Sequence, residues 1–134
     1  MSEIEGLPEI PVDYSYPVRI KKGYNQHIKP QEIYPDKQGV IKLESRELER
    51  IEIQLNHLTL NSQLSSINGY LAVGDELRPL PIGSFIDTKR GIFSWQPGHG
   101  FFGNYELVFI GKCENGALMK RTIRMRITPK FPMK

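Results

Sequence analysis

Polar and apolar residues alternate with a period of two through much of the chain. Ile51, Ile53 and Leu55 alternate with Glu52, Gln54 and Asn56, which predicts a half-buried strand. From Asn104 to Gly111, Tyr105, Leu107 and Phe109 share one face. In the segment Leu118 to Thr128, Ile123, Met125 and Ile127 point one way, and Thr122, Arg124, Arg126 and Thr128 the other. Shorter strands are predicted at Val40–Glu44, Gly69–Gly74 and Ile92–Trp95.

Turn chemistry separates these runs. Asp36 to Gly39 and Asp87 to Gly91 each open on an aspartate that can bond backbone N–H groups ahead of it and close on a glycine. Asn115-Gly116 predicts a tight hairpin between the last two strands. Pro97 and Pro129 end strands, having no N–H for a ladder. Arg46 to Arg50 has a helical composition but is too short for a helix, so a bend is expected near Ser45 to Leu48. Residues 57 to 68 read as a polar loop. Residues 1 to 36 are punctuated by five prolines and read as an extended linker or arm. Tyr14, Tyr16, Val18 and Ile20 alternate within it, enough for one strand pairing with an edge.

The count is about seven strands at spacings that suit a sandwich, with no helix of normal length. The expected organisation is a linker or arm over 1–36 and an all-β sandwich over 37–134.

The stretch from Leu80 to Phe109 carries a resemblance. Its Leu-Pro-x-Gly, then Asp-x-x-x-Gly-x-Phe-x-Trp-x-Pro, then Gly-x-Tyr-x-Leu resembles the bacterial immunoglobulin-like or cadherin-like repeats of large surface and secreted proteins. The resemblance spans residues 69 to 128. It implies an immunoglobulin-like antiparallel β-sandwich, with Tyr105 at the start of a late strand in the position of a tyrosine corner. It also implies a cell-surface or extracellular fragment of a larger protein. The Asp-rich calcium motifs of cadherins proper are missing, so calcium is not implied.

Composition narrows the chemistry. The 134 residues suit one domain, and the net charge of +3 does not demand a nucleic-acid partner. Cys113 is the only cysteine, so the fold stands on packing without an internal disulfide. The start, Met1-Ser2-Glu3-Ile4-Glu5, is acidic and does not read as a signal peptide, and no run reaches the length of a membrane span. A cytosolic protein or a fragment of an exported one both fit, and the resemblance favours the fragment.

No catalytic constellation is legible. His27, His57 and His99 lack metal-ligand spacing, Cys113 has no activating base, and no nucleophile elbow or phosphate loop occurs. Glu44, Glu47, Glu49 and Glu52 interleave with Arg46 and Arg50 and read as a solvated, salt-bridged edge. No enzyme activity, metal or cofactor is expected. Asp75, Glu76 and His99 would matter only if a pocket joined them.

Two features remain as candidate binding sites. Lys120, Arg121, Arg124, Arg126, Lys130 and Lys134 have no acidic residue among them, and Arg124 and Arg126 should share a sheet face. That stripe suits an anionic partner such as polysaccharide, unless its arginines pair with Glu52 or Glu106 on neighbouring strands. Trp95, Tyr105 and Phe109 read as core. Phe101 and Phe102 cannot both point inward, so one is a candidate contact. The expected function is a non-catalytic adhesion or spacer module docking neighbouring domains or another surface protein. The alternative is a carbohydrate-binding module using exposed aromatics or the basic strand face. Neither nucleic-acid binding nor membrane insertion is expected.

Overall fold

A computed structural model describes residues 17–23, 29–55, 64–114, 116 and 118–130. Ten strands lie in two sheets, with no helix among the described residues. They are β1 (Val18–Lys22), β2 (Gln31–Ile33), β3 (Val40–Arg46), β4 (Ile51–Gln54), β5 (Leu64–Val73), β6 (Glu76–Arg78), β7 (Ser84–Asp87), β8 (Ile92–Trp95), β9 (Gly103–Cys113) and β10 (Leu118–Thr128). The first sheet runs β2-β1-β4-β8-β7 and the second β3-β10-β9-β5-β6.

The alternating residues close the sandwich. Ile51, Ile53, Phe93 and Trp95 point inward from the first sheet, and Leu107, Phe109, Ile123 and Met125 from the second, all essentially without exposure. Each such side chain contributes about 1.5–3 kcal/mol on leaving water. Phe93 meets Phe109 edge-on across the sheets, centroids 5.4 Å apart.

The turns form as their chemistry predicts. Asp36 Oδ1 accepts from Gln38 N (2.8 Å) and Val40 N (3.0 Å), and Gly39 closes the turn at φ 78°. Asp87 Oδ1 accepts from Lys89 N and Arg90 N, and Gly91 follows at φ 67°. Gly116 N donates to Cys113 O at 2.9 Å in the last hairpin, with Gly116 at φ 88°.

Several features depart from the sequence reading. The strands exceed seven because short edge strands such as β2 and β6 carry too few residues to show a period. The pairing is not wholly antiparallel: β3 runs parallel to β10 from Val40↔Thr122 to Arg46↔Thr128. Part of the segment read as an arm is built into the first sheet. β1 lies between β2 and β4, and Val18 and Ile20 are buried in the common core. β5 begins at Leu64, inside the stretch read as a polar loop. Asn68 faces outward there while Ile67 is buried, so polar residues occupy one face of a strand. Tyr14, Tyr16 and residues 57–63 lie outside the described residues.

Strand polarity sets the poles of the sandwich. Lys22 pairs with Ile51 and Ile51 with Trp95, and Leu48 N donates to Pro97 O at 2.8 Å. Glu47 N donates to Thr128 O at 2.9 Å. The end of β1, the β3–β4 bend, the β8–β9 corner and the end of β10 therefore share one pole. Val18 lies about 13 Å back along β1, toward the opposite pole where Leu55 N bonds Gly91 O. The chain thus passes into β1 at one pole and out of β10 at the other.

Candidate functional site

The pole where β10 ends is organised by a carboxylate that the sequence reading placed on a solvated edge. Glu47 is buried, its side chain 4 % exposed. Its Oε2 accepts from Gly100 N (2.8 Å) and its Oε1 from Lys130 N (3.0 Å). The bend, the corner and the segment after β10 are thereby tied by one side chain. Those two backbone donors, Gly100 first, hold the Glu47 carboxyl below its usual range, against the opposing effect of desolvation. His99 Nδ1 stands 3.8 Å away on an exposed ring. Leu48, next in the bend, adopts φ 65°, and its carbonyl accepts from Gln96 Nε2 at 3.0 Å. No residue within the 46–50 run announces this role, because both donors are backbone groups 53 and 83 positions away.

The aromatic corner is structural on one side and exposed on the other. Trp95 is buried, donates Nε1 to Ile82 O at 3.3 Å, and meets Tyr105 nearly perpendicular with centroids 5.2 Å apart. Phe109 is fully buried and Tyr105 half-buried. Phe101 packs on Trp95 at 6.4 Å, whereas Phe102 is 54 % exposed.

The outer face of the second sheet carries the basic stripe, altered in membership. Arg121 is in phase with Ile123 and Met125 and is buried, so it does not belong to an exposed stripe. Strict alternation places it inside, a signal that its charge obscures. Arg124 and Arg126 do share the exposed face. Arg124 Nε pairs with Glu106 Oε1 at 3.2 Å across the β9–β10 ladder. Glu52 is not a neighbour of either arginine: it lies in the first sheet and pairs with Arg50 at 3.4 Å. Arg126 makes no ion pair or hydrogen bond among the described residues.

The parallel β3–β10 pairing adds Lys42 opposite Arg124 and Glu44 opposite Arg126. Together with Asn104 and Glu106 of β9 and the small Ala72 of β5, these line a shallow depression of about 650 Å³. Lys42 Nζ is 3.5 Å from Asp36 Oδ2, an exposed ammonium beside a half-buried carboxylate. Guanidinium and ammonium groups here can bind anions, and the carboxylates and Asn104 can accept hydrogen bonds from hydroxyls. Phe101, Phe102, Asp75, Glu76 and His99 do not line the depression. Among the described residues, no group of three or more His, Cys, Asp or Glu is placed to hold a metal ion. His27 and His57 lie outside the described residues. Cys113 is buried.

Two facing sheets of this topology define an immunoglobulin-like β-sandwich. Among solved structures, the chain is similar to the solution structure of the PKD domain from the KIAA 1837 protein, with a TM-score of 0.51 and 11 % identity. The likeness covers 84 % of this chain and 99 % of that domain and concerns the fold. No protein-family model and no curated protein matches the sequence.

Proposed function

We propose that this chain is a non-catalytic spacer and interaction module of a larger protein, displayed on or exported from a bacterial cell. The observation that carries this reading is the placement of the two connections at opposite poles. A domain threaded this way holds its neighbours apart along its long axis, whereas connections at one pole would fold them side by side. The Glu47 ties support the same role, since they fix the outgoing segment to the body of the sandwich. The surface and bacterial elements rest on the sequence resemblance over residues 69 to 128, and the immunoglobulin-like fold is compatible with them.

The test is to place the full chain between two compact reporter domains and measure the particle by small-angle scattering and sedimentation. An elongated monomer with the reporters at opposite ends is expected. Reporters lying against each other, or a tight obligate oligomer of the chain alone, would reject the spacer role.

A further inference from the structure

We infer that the outer face of the second sheet binds an acidic polysaccharide, with anionic groups held by Lys42, Arg124 and Arg126 and hydroxyls by Glu44, Asn104 and Glu106. This goes beyond the spacer reading and does not depend on it. Charge distribution is the first support. Lys42, Arg46, Lys112, Lys120, Arg124 and Arg126 face outward here against Glu44 and Glu106, while the whole chain carries only +3. Six basic against two acidic side chains make this face net positive among the described residues. The same face of a second copy would meet it with like charge, which disfavours symmetric self-association through this surface.

The mixture of groups selects among anions. The side groups of a phosphate or glutamate chain bring to Glu44 and Glu106, in the same depression, like charge and no hydrogen-bond donor. A sugar chain supplies hydroxyl donors that these carboxylates and Asn104 can accept, beside acidic groups for Arg126, which makes no ion pair or hydrogen bond among the described residues. Among the described residues, Tyr105 is the only aromatic residue lining the depression, and its ring packs edge-on to the buried Trp95. Tyr70, on the same sheet face, lies outside the depression, so within it a single-stranded nucleic acid would find no stacking platform. The depression, near 650 Å³, falls within the size of ordinary ligand sites, about 300–1,000 Å³.

The experiment titrates the full chain with polygalacturonate, poly-glutamate and a single-stranded oligonucleotide of matched charge, followed by calorimetry at low and moderate salt. Saturable, salt-weakened binding of polygalacturonate is expected, tighter than to the other two. Combined Lys42→Gln and Arg126→Gln should weaken it by at least about tenfold. Asn104→Ala should weaken polygalacturonate binding several-fold and leave poly-glutamate unchanged, since it alters hydrogen bonding but not charge. Lys89→Gln, on the β7–β8 turn, should do neither. All four side chains are exposed, and Trp95 emission verifies folding. Absence of saturable binding, tighter binding of poly-glutamate or oligonucleotide, or an equal loss with Lys89→Gln would overturn the inference.

Discussion

Gly69 faces Phe109 in the β5–β9 ladder, where the absence of a side chain lets a ring fill the interior. A methyl group added there would lie 2.6 Å from Cε1 and 2.8 Å from Cδ1 of Phe109, and 3.0 Å from Cδ1 of Leu80. The ring has little room to retreat, because it is fully buried with Phe93 edge-on at 5.4 Å. Overfilling a packed core costs about 1–3 kcal/mol. Replacing a strand glycine by alanine returns about 0.5–1 kcal/mol through the unfolded chain. Gly69→Ala should therefore lose about 1–2 kcal/mol, and for a chain of 134 residues the Tm should fall by roughly 3–10 °C. Urea unfolding followed by the emission of Trp95, the single tryptophan, measures this directly. Gly98→Ala is the control: its added Cβ meets nothing within 4 Å, and it should be neutral or slightly stabilising. Adding Phe109→Leu should shrink the Gly69→Ala penalty, as two residues in contact couple. A Gly69→Ala protein as stable as the parent would refute the packing described for the core.

Two further outcomes concern the bend between the sheets. The Glu47 carboxyl is held below its usual range, so the stability it supplies is present above the ordinary glutamate value, about pH 4.3, and is lost as pH falls through the lowered folded value. Glu47→Gln should lower stability at neutral pH and flatten the acid side of the stability–pH curve, measured by urea midpoints between pH 2 and 7; an unchanged acid slope would count against the Glu47 ties. Leu48 sits at φ 65° and is 39 % exposed, a conformation that costs a branched residue about 1 kcal/mol or more. Leu48→Gly should raise the urea midpoint or leave it unchanged, and a clear fall would mean that the leucine side chain contributes packing that outweighs its strain.

Local chemistry was legible in the sequence, and long-range partnership was not. The β9–β10 hairpin, the β8 strand ending before Pro97, and the aspartate turns at 36 and 87 follow from period-two alternation and from residues that bond their own backbone. The parallel seating of β3 on β10 has no such signal, because alternation states which face a residue takes and not which strand lies beside it. For that reason Arg124 and Arg126 could be placed on one face, while Lys42 and Glu44 could not be joined to them. Glu47 shows the same limit from another side. Its neighbours in sequence are charged and soluble, and only the arrival of two distant N–H groups makes its burial favourable. Arg121 was legible by phase and was obscured by its charge.

The spacer account depends above all on β1 belonging to the sandwich, because that strand sets the incoming pole. Native-state hydrogen exchange followed residue by residue tests this directly. The hydrogen-bonded amides of Val18–Lys22 should exchange about as slowly as those of Ile123 to Ile127, with the free energy of global unfolding. Exchange of the β1 amides at rates near those of an unstructured chain, while β9 and β10 remain protected, would detach the strand from the fold and contradict the account.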